Sequence, residues 1–273
     1  MLSKEQKHVV ELSEIFSHFP NSNISEYLFK YLTANSNLPG PRGNLELAAA
    51  FEEMISSRAA IDPPKEIWEL CSTMARISAE EAPVNDPREF IAFCGVRGLG
   101  AVGATLPEYQ KKALLDLRTL AKDSRWRMRE GVAFALQKLL SGGDVKVWRE
   151  LEEWIKSDGW LVLRGVVAGI AEPSLLKDSS SAEWALKANR RVIKRTASSE
   201  DRKSEEFRTL RKALGYSISV VVRAIPSAGF RFLEELAQSN DTDIKWIVRE
   251  NLKKNRLKAN FPKEVAFLVK MVE

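Results

Sequence analysis

The sequence predicts an all-α protein in which antiparallel helix pairs stack into an α-α superhelix. Three observations support this prediction. From about residue 105 onward, apolar residues recur at helical spacing in segments separated by short polar or glycine-containing breaks. No segment sustains the period-two alternation of a half-buried strand. A similar stretch returns at intervals of about 30–45 residues, which is typical of solenoids built from two-helix units.

The C-terminal part contains a close succession of predicted helices. In the first of them, Ala113, Leu114 and Leu117 share one side. Because one helix pair cannot cover its own apolar side, neighbouring pairs are expected to stack. The predicted helices are Glu108–Lys122, Trp126–Leu140, Val145–Lys156, Trp160–Ala171, 182–197, 204–224, Ala228–Gln238, Asp243–Asn255 and Lys263–Val272.

The N-terminal third is less regular but also reads as helical. Asn44 is a predicted N-cap, and turn-rich breaks occur at Leu38–Gly43 and Pro83–Pro87. We interpret residues 1–104 as a helical cap region continuous with repeats in 105–273, with a separate small domain as the alternative. The predicted helices here are Lys4–Phe19, Ile24–Leu32, Leu45–Ser57, Lys65–Ile77 and Phe90–Ala104.

A pattern of Asp, Trp and Arg opens several of the predicted second helices. In two copies Trp lies three positions and Arg six positions after Asp, and in a third copy Trp is moved by one place. The arginines are 35 and then 85 residues apart, which leaves room for an intervening unit near Arg208 or Arg211, and Arg97 lies 32 residues upstream of the series. The three copies are Asp123, Trp126 and Arg129; Asp158, Trp160 and Arg164; and Asp243, Trp246 and Arg249.

The stretches DSRWRMREGVAFALQKLL and DTDIKWIVRENLKKNRL resemble the second half of a HEAT-like repeat, within the armadillo-type superfamily of helical solenoids. The resemblance covers about residues 105–257. It implies that Asp caps the second helix of each pair and pairs with Arg of the adjacent repeat, and that Trp belongs to the core. The alternative leaves some Arg and Trp side chains free on the inner surface to meet phosphate or carboxylate, or to stack.

Charge is unevenly distributed along the chain. Residues 1–104 hold 9 Lys and Arg against 14 Asp and Glu, whereas residues 105–273 hold 33 against 23. Lys187–Lys212 alone contains ten basic and four acidic residues. This asymmetry predicts an anionic partner near the C-terminal part. Two basic clusters fall at helical spacing: Arg190, Arg191, Lys194 and Arg195, and then Arg249, Lys253 and Arg256.

The remaining motifs favour structural explanations. Gly98-Leu-Gly100-Ala-Val-Gly103 matches the dinucleotide-binding pattern, but no strand follows it, so a helix of small residues in close contact with its neighbour explains it better. His8 and His18, the only histidines, lie ten residues apart and predict no metal site.

Cys71 and Cys94 are read as buried thiols. We expect no cofactor, no membrane segment and a cytoplasmic location, and the sequence indicates no oligomeric state.

Two functions are compatible with these features. The first is a non-enzymatic binding or scaffold protein whose concave basic surface binds a protein or a nucleic acid. The second is suggested by resemblance to the HEAT-like-repeat DNA alkylation repair glycosylases, with Asp123 and Asp243 as candidate catalytic acids. The candidate binding residues are Arg97, Trp126, Arg129, Trp160, Arg164, Arg190, Arg191, Lys194, Arg195, Arg208, Arg211, Trp246, Arg249, Lys253 and Arg256.

Overall fold

The computed structural model describes residues 4–20 and 24–272, and every regular element within these ranges is a helix. The predicted all-α class is therefore confirmed for the described residues. The helices are α1 (Lys4–Phe16), α2 (Ile24–Ala34), α3 (Leu45–Ala59), α4 (Pro64–Ala75), α5 (Glu89–Thr105), α6 (Pro107–Leu120), α7 (Trp126–Ser141), α8 (Val145–Ser157), α9 (Trp160–Gly169), α10 (Ser179–Ala197), α11 (Glu205–Ala224), α12 (Pro226–Ala237), α13 (Thr242–Leu252), α14 (Asn255–Lys258) and α15 (Pro262–Val272).

Local sequence signals account for many of the helix ends. Asn44 is the N-cap of α3, as predicted, and its Oδ1 accepts a hydrogen bond from the Leu47 N–H at 3.0 Å. Proline occupies the first position of α4, α6, α12 and α15, where its missing N–H removes no intrahelical bond. The short helix α14 was not predicted because four residues carry too little periodicity.

Residues 1–144 form one compact unit in which α3, α5 and α7 lie side by side. Gly131 of α7 faces Phe93 of α5, and Ala135 faces Gly100, so the contacts advance along both helices together and the helices run in the same direction. α4 and α6 pack on α5 as a second layer.

The glycines of α5 allow this close packing. A methyl group on Gly100 would lie 2.6 Å from Ala135 Cα, and one on Gly98 would lie 2.6 Å from Cys71 Sγ. Only a residue without Cβ permits these approaches. The G-x-G-x-x-G stretch lies inside one continuous helix, which confirms the packing interpretation over the dinucleotide one.

Residues 145–273 form the second compact unit, in which α9, α11 and α13 lie side by side. Trp160 of α9 packs edge-on against Phe207 near the start of α11, with ring centroids 5.7 Å apart. α8 contacts α9, α10 contacts α11, and α12 contacts both α11 and α13. The unit thus contains three consecutive helix pairs, with the second helix of each pair in one layer.

A buried asparagine links α11 to α13. Asn251 Nδ2 donates to the carbonyl oxygens of Leu214 and Ile247, both at 2.8 Å, and the Ser219 N–H donates to Asn251 Oδ1 at 2.7 Å. Arg211 and Asp243 pair three to eight residues earlier on the same helices. These contacts show that α11 and α13 run in the same direction, and the asparagine fixes their register.

Candidate functional site

The exposed side of α11 and α13 carries a series of cations. Three cations and one tyrosine are exposed along α11, at intervals of four, four and seven residues. They are Arg208, Lys212, Tyr216 and Arg223. These intervals bring them to one side of a helix. The set continues on α13 and α14 with Lys245, Arg249, Lys253 and Arg256 at intervals of four, four and three.

We call Arg208, Lys212, Lys245, Arg249 and Lys253 the basic face. Its members come from two adjacent helices that run in the same direction, so the two rows of charge lie side by side. Arg164 of α9 is half-buried and interacts with another residue in the described part of the chain.

Most cations of the basic face have no partner within the described ranges. The side chains of Arg208, Lys212, Lys245 and Arg249 make no ion pair or hydrogen bond to the described residues. Lys253 is the exception, because its Nζ lies 2.6 Å from Glu250 Oε1. Glu205 and Glu206 provide carboxylates at the N-terminal end of α11. The surface therefore presents several uncompensated positive charges.

Two predicted binding residues, Arg211 and Trp246, instead hold α11 and α13 together. The Arg211 guanidinium pairs with Asp243 and lies 4.4 Å from the centre of the Trp246 ring. Arg202 reaches the same carboxylate at 3.2 Å and also pairs with Asp241 at 2.6 Å. The hydrogen bond from Arg202 lowers the pKa of Asp241.

The prediction that Asp123, Asp158 and Asp243 cap their helices is wrong at all three positions. 

The N-cap of α13 is Asp241, whose Oδ1 accepts the Asp243 and Ile244 N–H groups at 2.9 and 3.2 Å, so Asp243 lies inside the first turn. Asp123 precedes α7 by three residues, and its carboxylate accepts from Arg125 instead of capping the helix. Asp158 directly precedes Gly159, which is the N-cap of α9. The three aspartates thus lie one or two residues away from the N-cap position.

The basic cluster of α10 is largely compensated by its neighbours. Arg190 pairs with Glu235, and Arg191 lies 3.3 Å from Glu152. Arg195 donates to the Ile155 carbonyl at 2.6 Å and lies 5.5 Å from the centre of the Trp160 ring. Lys194 is exposed. Three of these four predicted binding residues thus connect α10 to other helices.

The predicted binding residues Arg97 and Arg129 of the first unit also contact other residues of the chain. Arg97 is buried, and its Nε donates to Glu52 Oε2 at 2.8 Å while its guanidinium lies 4.4 Å from the Phe134 ring centre. Arg129 donates to the Asp123 and Ser124 carbonyls at 2.7 and 2.8 Å.

Trp126 is 39% exposed, and the Arg127 guanidinium lies 4.4 Å from its ring centre. Arg127 was not predicted as a site residue, and it is buried, with its Nη1 2.9 Å from Glu89 Oε2. Its partner is 38 residues away in the sequence, so no local signal identifies the pair.

Lys212, Lys245 and Arg223 were also missed, although a signal was present. Lys212 and Lys245 lie four residues from Arg208 and Arg249, and Arg223 lies fifteen residues from Arg208, which are spacings that keep side chains on one side of a helix. These positions lie outside the repeated Asp–Trp–Arg pattern.

Both candidate catalytic acids take part in ion pairs. Asp123 pairs with Arg125, and Asp243 pairs with Arg211. No group of three or more His, Cys, Asp or Glu side chains in residues 4–20 and 24–272 is placed to hold a metal ion. Cys71 and Cys94 are free and buried, and burial raises the pKa of both thiols, which disfavours the nucleophilic thiolate.

Among the described residues, no helix combines the length and apolar character required to cross a bilayer. Comparison with known proteins gave no matching family model and no matching curated protein.

Proposed function

We propose that this protein binds nucleic acid through the basic face, by contacts to the phosphate backbone and without a catalytic step. The observation that carries the proposal is the set of four cations, Arg208, Lys212, Lys245 and Arg249, that have no partner in the described chain. Arginine and lysine in such a row can neutralise successive phosphates and release their counterions.

The scaffold that we propose for each unit is a short stack of HEAT-like helix pairs. Its support is that α9, α11 and α13 form one layer while α8, α10 and α12 contact them from the preceding position in the chain. Such stacks present the second helices of successive pairs as one extended surface. The basic face occupies two of these second helices.

Aromatic side chains favour backbone contacts over base stacking as the binding mode. Trp160 packs against Phe207, and Trp246 packs against Arg211, so the two predicted stacking platforms of the second unit have an aromatic or cationic neighbour. Tyr216, at 37% exposure, is the aromatic residue that lies among the cations of α11. Because single-strand binding commonly uses several stacked aromatics, this surface fits a duplex better.

The test is the affinity for a fluorescent DNA or RNA duplex, measured by anisotropy at low salt. We expect Arg208→Glu/Lys212→Glu/Arg249→Glu to weaken binding by at least about tenfold, because three cationic contacts become repulsive. The matched control is Lys30→Glu/Lys111→Glu/Lys122→Glu, which makes the same change in net charge at exposed positions of the first unit. We expect this control to keep the affinity within about threefold.

Two results would contradict the proposal. If the wild-type protein binds neither duplex nor single strand at low salt, the basic face has another partner, such as an acidic protein surface. If both variants lose affinity equally, the interaction depends on net charge and does not involve this surface specifically.

A further inference from the structure

A cavity of about 380 Å³ opens at the end of α11, within the second unit. Its volume falls in the range of about 300–1,000 Å³ that is usual for small-ligand sites. Three of its lining side chains are cations and come from three separate segments: the connection after α9, the last turn of α11, and α14. The lining consists of Pro173, Leu176, Lys177, Val220, Arg223, Ala224 and Arg256.

The three cations are not neutralised by the protein. Lys177, Arg223 and Arg256 make no side-chain ion pair or hydrogen bond to the described residues, and the lining contains no carboxylate. The adjacent Asp178 is engaged elsewhere, because its carboxylate accepts from Ser180 Oγ and the Ser181 N–H at 2.7 and 2.8 Å.

Stabilisation of helix ends explains only part of this arrangement. A cation in the last turn of α11 interacts favourably with the C-terminal carbonyl groups, which accounts for Arg223. It does not account for Lys177, which belongs to no helix and still lies at the same cavity. Three like charges that converge beside the apolar side chains of Leu176 and Val220 repel one another unless an anion lies between them.

The cavity lies where the basic face ends. Arg223 follows Arg208 by fifteen residues on α11, which corresponds to about 22 Å along the helix axis. Arg256 follows Arg249 by seven residues, so the row of α13 also continues into the cavity. A nucleic-acid backbone lying along these rows would reach the cavity after about six or seven base pairs.

We propose that this cavity binds the terminal phosphate of a nucleic-acid strand whose backbone lies on the basic face. A terminal phosphomonoester carries a charge of about −1.5 to −2 at neutral pH, whereas an internal diester carries one negative charge. Only a terminal group can enter a cavity without the strand continuing on its far side. This inference rests on the proposed function and assigns the strand end as the preferred ligand.

The experiment compares duplexes of about 12 base pairs, long enough to span the cavity and Arg208. They carry a 5′-phosphate, a 3′-phosphate or hydroxyl groups at both ends, with the fluorophore attached internally. We expect one of the phosphorylated duplexes to bind the wild-type protein about tenfold more tightly than the hydroxyl-ended duplex, as expected for one or two additional charge-assisted hydrogen bonds.

Two variants locate the effect. Lys177→Gln/Arg223→Gln/Arg256→Gln should reduce the affinity ratio between phosphorylated and hydroxyl-ended duplexes to about one, whereas the basic-face variant Arg208→Glu/Lys212→Glu should weaken both and keep the ratio. The charge-preserving variant Arg223→Lys/Arg256→Lys should retain most of the ratio. The thermal midpoint of each variant establishes that it is folded.

The outcomes separate this inference from the proposed function. Equal affinities for all three duplexes, or a ratio that survives in the glutamine variant, overturn the terminal-phosphate site and leave backbone binding intact. Inorganic phosphate that displaces every duplex equally would also count against the site. Failure to bind any oligonucleotide overturns both proposals.

Discussion

Glu89 and Arg127 form a buried ion pair, and their side chains are 0% and 4% exposed. Arg127 also donates to the Gly40 carbonyl at 2.6 Å and to Asn85 Oδ1 at 2.9 Å. One nitrogen of this guanidinium, Nε, and one oxygen of the carboxylate, Oε1, have no hydrogen-bond partner. The pair therefore connects the loop before α3 to α5 and α7, although two of its polar atoms make no hydrogen bond.

Removing one partner of this pair should be costly. We expect Arg127→Met to lower the free energy of unfolding by about 3–5 kcal/mol, because Glu89 would remain as a buried charge without a counter-ion. Chemical denaturation monitored by circular dichroism measures the change. The control, Arg191→Met, removes an ion pair whose side chains are 50% and 32% exposed and should cost less than about 1 kcal/mol.

The double variant Glu89→Gln/Arg127→Met provides a second check. Because it removes both charges, it should recover part of the stability lost in Arg127→Met. If the double variant is as unstable as the sum of the two single variants, the two residues act independently and the ion-pair explanation is wrong.

The individual arginines show what the sequence could predict about the site. Arg208 and Arg249 were predicted as binding residues, and both carry free guanidinium groups within the described chain. Arg97 and Arg211 were predicted on the same pattern, yet they pair with Glu52 and Asp243, which lie 45 and 32 residues away. Periodicity identifies the side of a helix, but it does not say which carboxylate packs opposite.

At the scale of helices, two fully buried asparagines make a matched comparison. Asn251 of α13 bonds to backbone groups of Leu214 and Ser219 on α11. Asn189 of α10 donates only to the Ala185 carbonyl of its own helix, at 2.9 Å. Both side chains are 0% exposed, so their burial is the same and their connections differ.

We expect Asn251→Ala to lower the free energy of unfolding by about 2–4 kcal/mol more than Asn189→Ala. The first substitution removes the buried hydrogen bonds that join α13 to α11, whereas the second removes a bond within one helix. Equal losses in denaturant titrations would show that Asn251 contributes only its volume, and the asparagine would then not fix the register of α11 and α13.

Helix positions were predicted from sequence more completely than helix contacts. The apolar spacing of α6 to α13 and the cap at Asn44 depend on neighbouring residues, and these helices occur close to where they were expected. The cap of α13 was misassigned because Asp241 and Asp243 both precede Ile244 by a plausible distance. Only the backbone geometry at Asp241 distinguishes the residue that caps the helix.

At the scale of the whole molecule, the charge is concentrated in one unit. Residues 145–273 contain 25 Lys and Arg against 18 Asp and Glu, whereas residues 1–144 contain 17 against 19. The predicted division at residue 104 was placed where the regular succession of helix pairs begins, and it stays a prediction. The solenoid arrangement was inferred from the recurrence of similar stretches, which defines neighbouring pairs but not their relation over longer distances.

Salt dependence provides a test at this scale. If four to six cations contact phosphates of a B-form duplex, the logarithm of the association constant should fall against the logarithm of salt concentration with a slope of about −4 to −5. Neutralising Arg208 and Arg249 with glutamine should make this slope less steep by about two. A slope near zero, measured by anisotropy over a range of sodium chloride concentrations, would rule out a phosphate-based interaction.

The common direction of α11 and α13 has an electrostatic consequence for this surface. Since their backbone dipoles point the same way, the partial positive charges of their first turns lie along one edge and the partial negative charges of their last turns along the other. An approaching polyanion therefore meets a potential that is graded along the rows of side chains. Arg223 and Arg256 lie toward the electronegative edge, where each offsets nearby carbonyl groups. Removing their charge would weaken the helix ends as well as the cavity, whereas lysine keeps the charge at both places and changes only the hydrogen-bonding geometry.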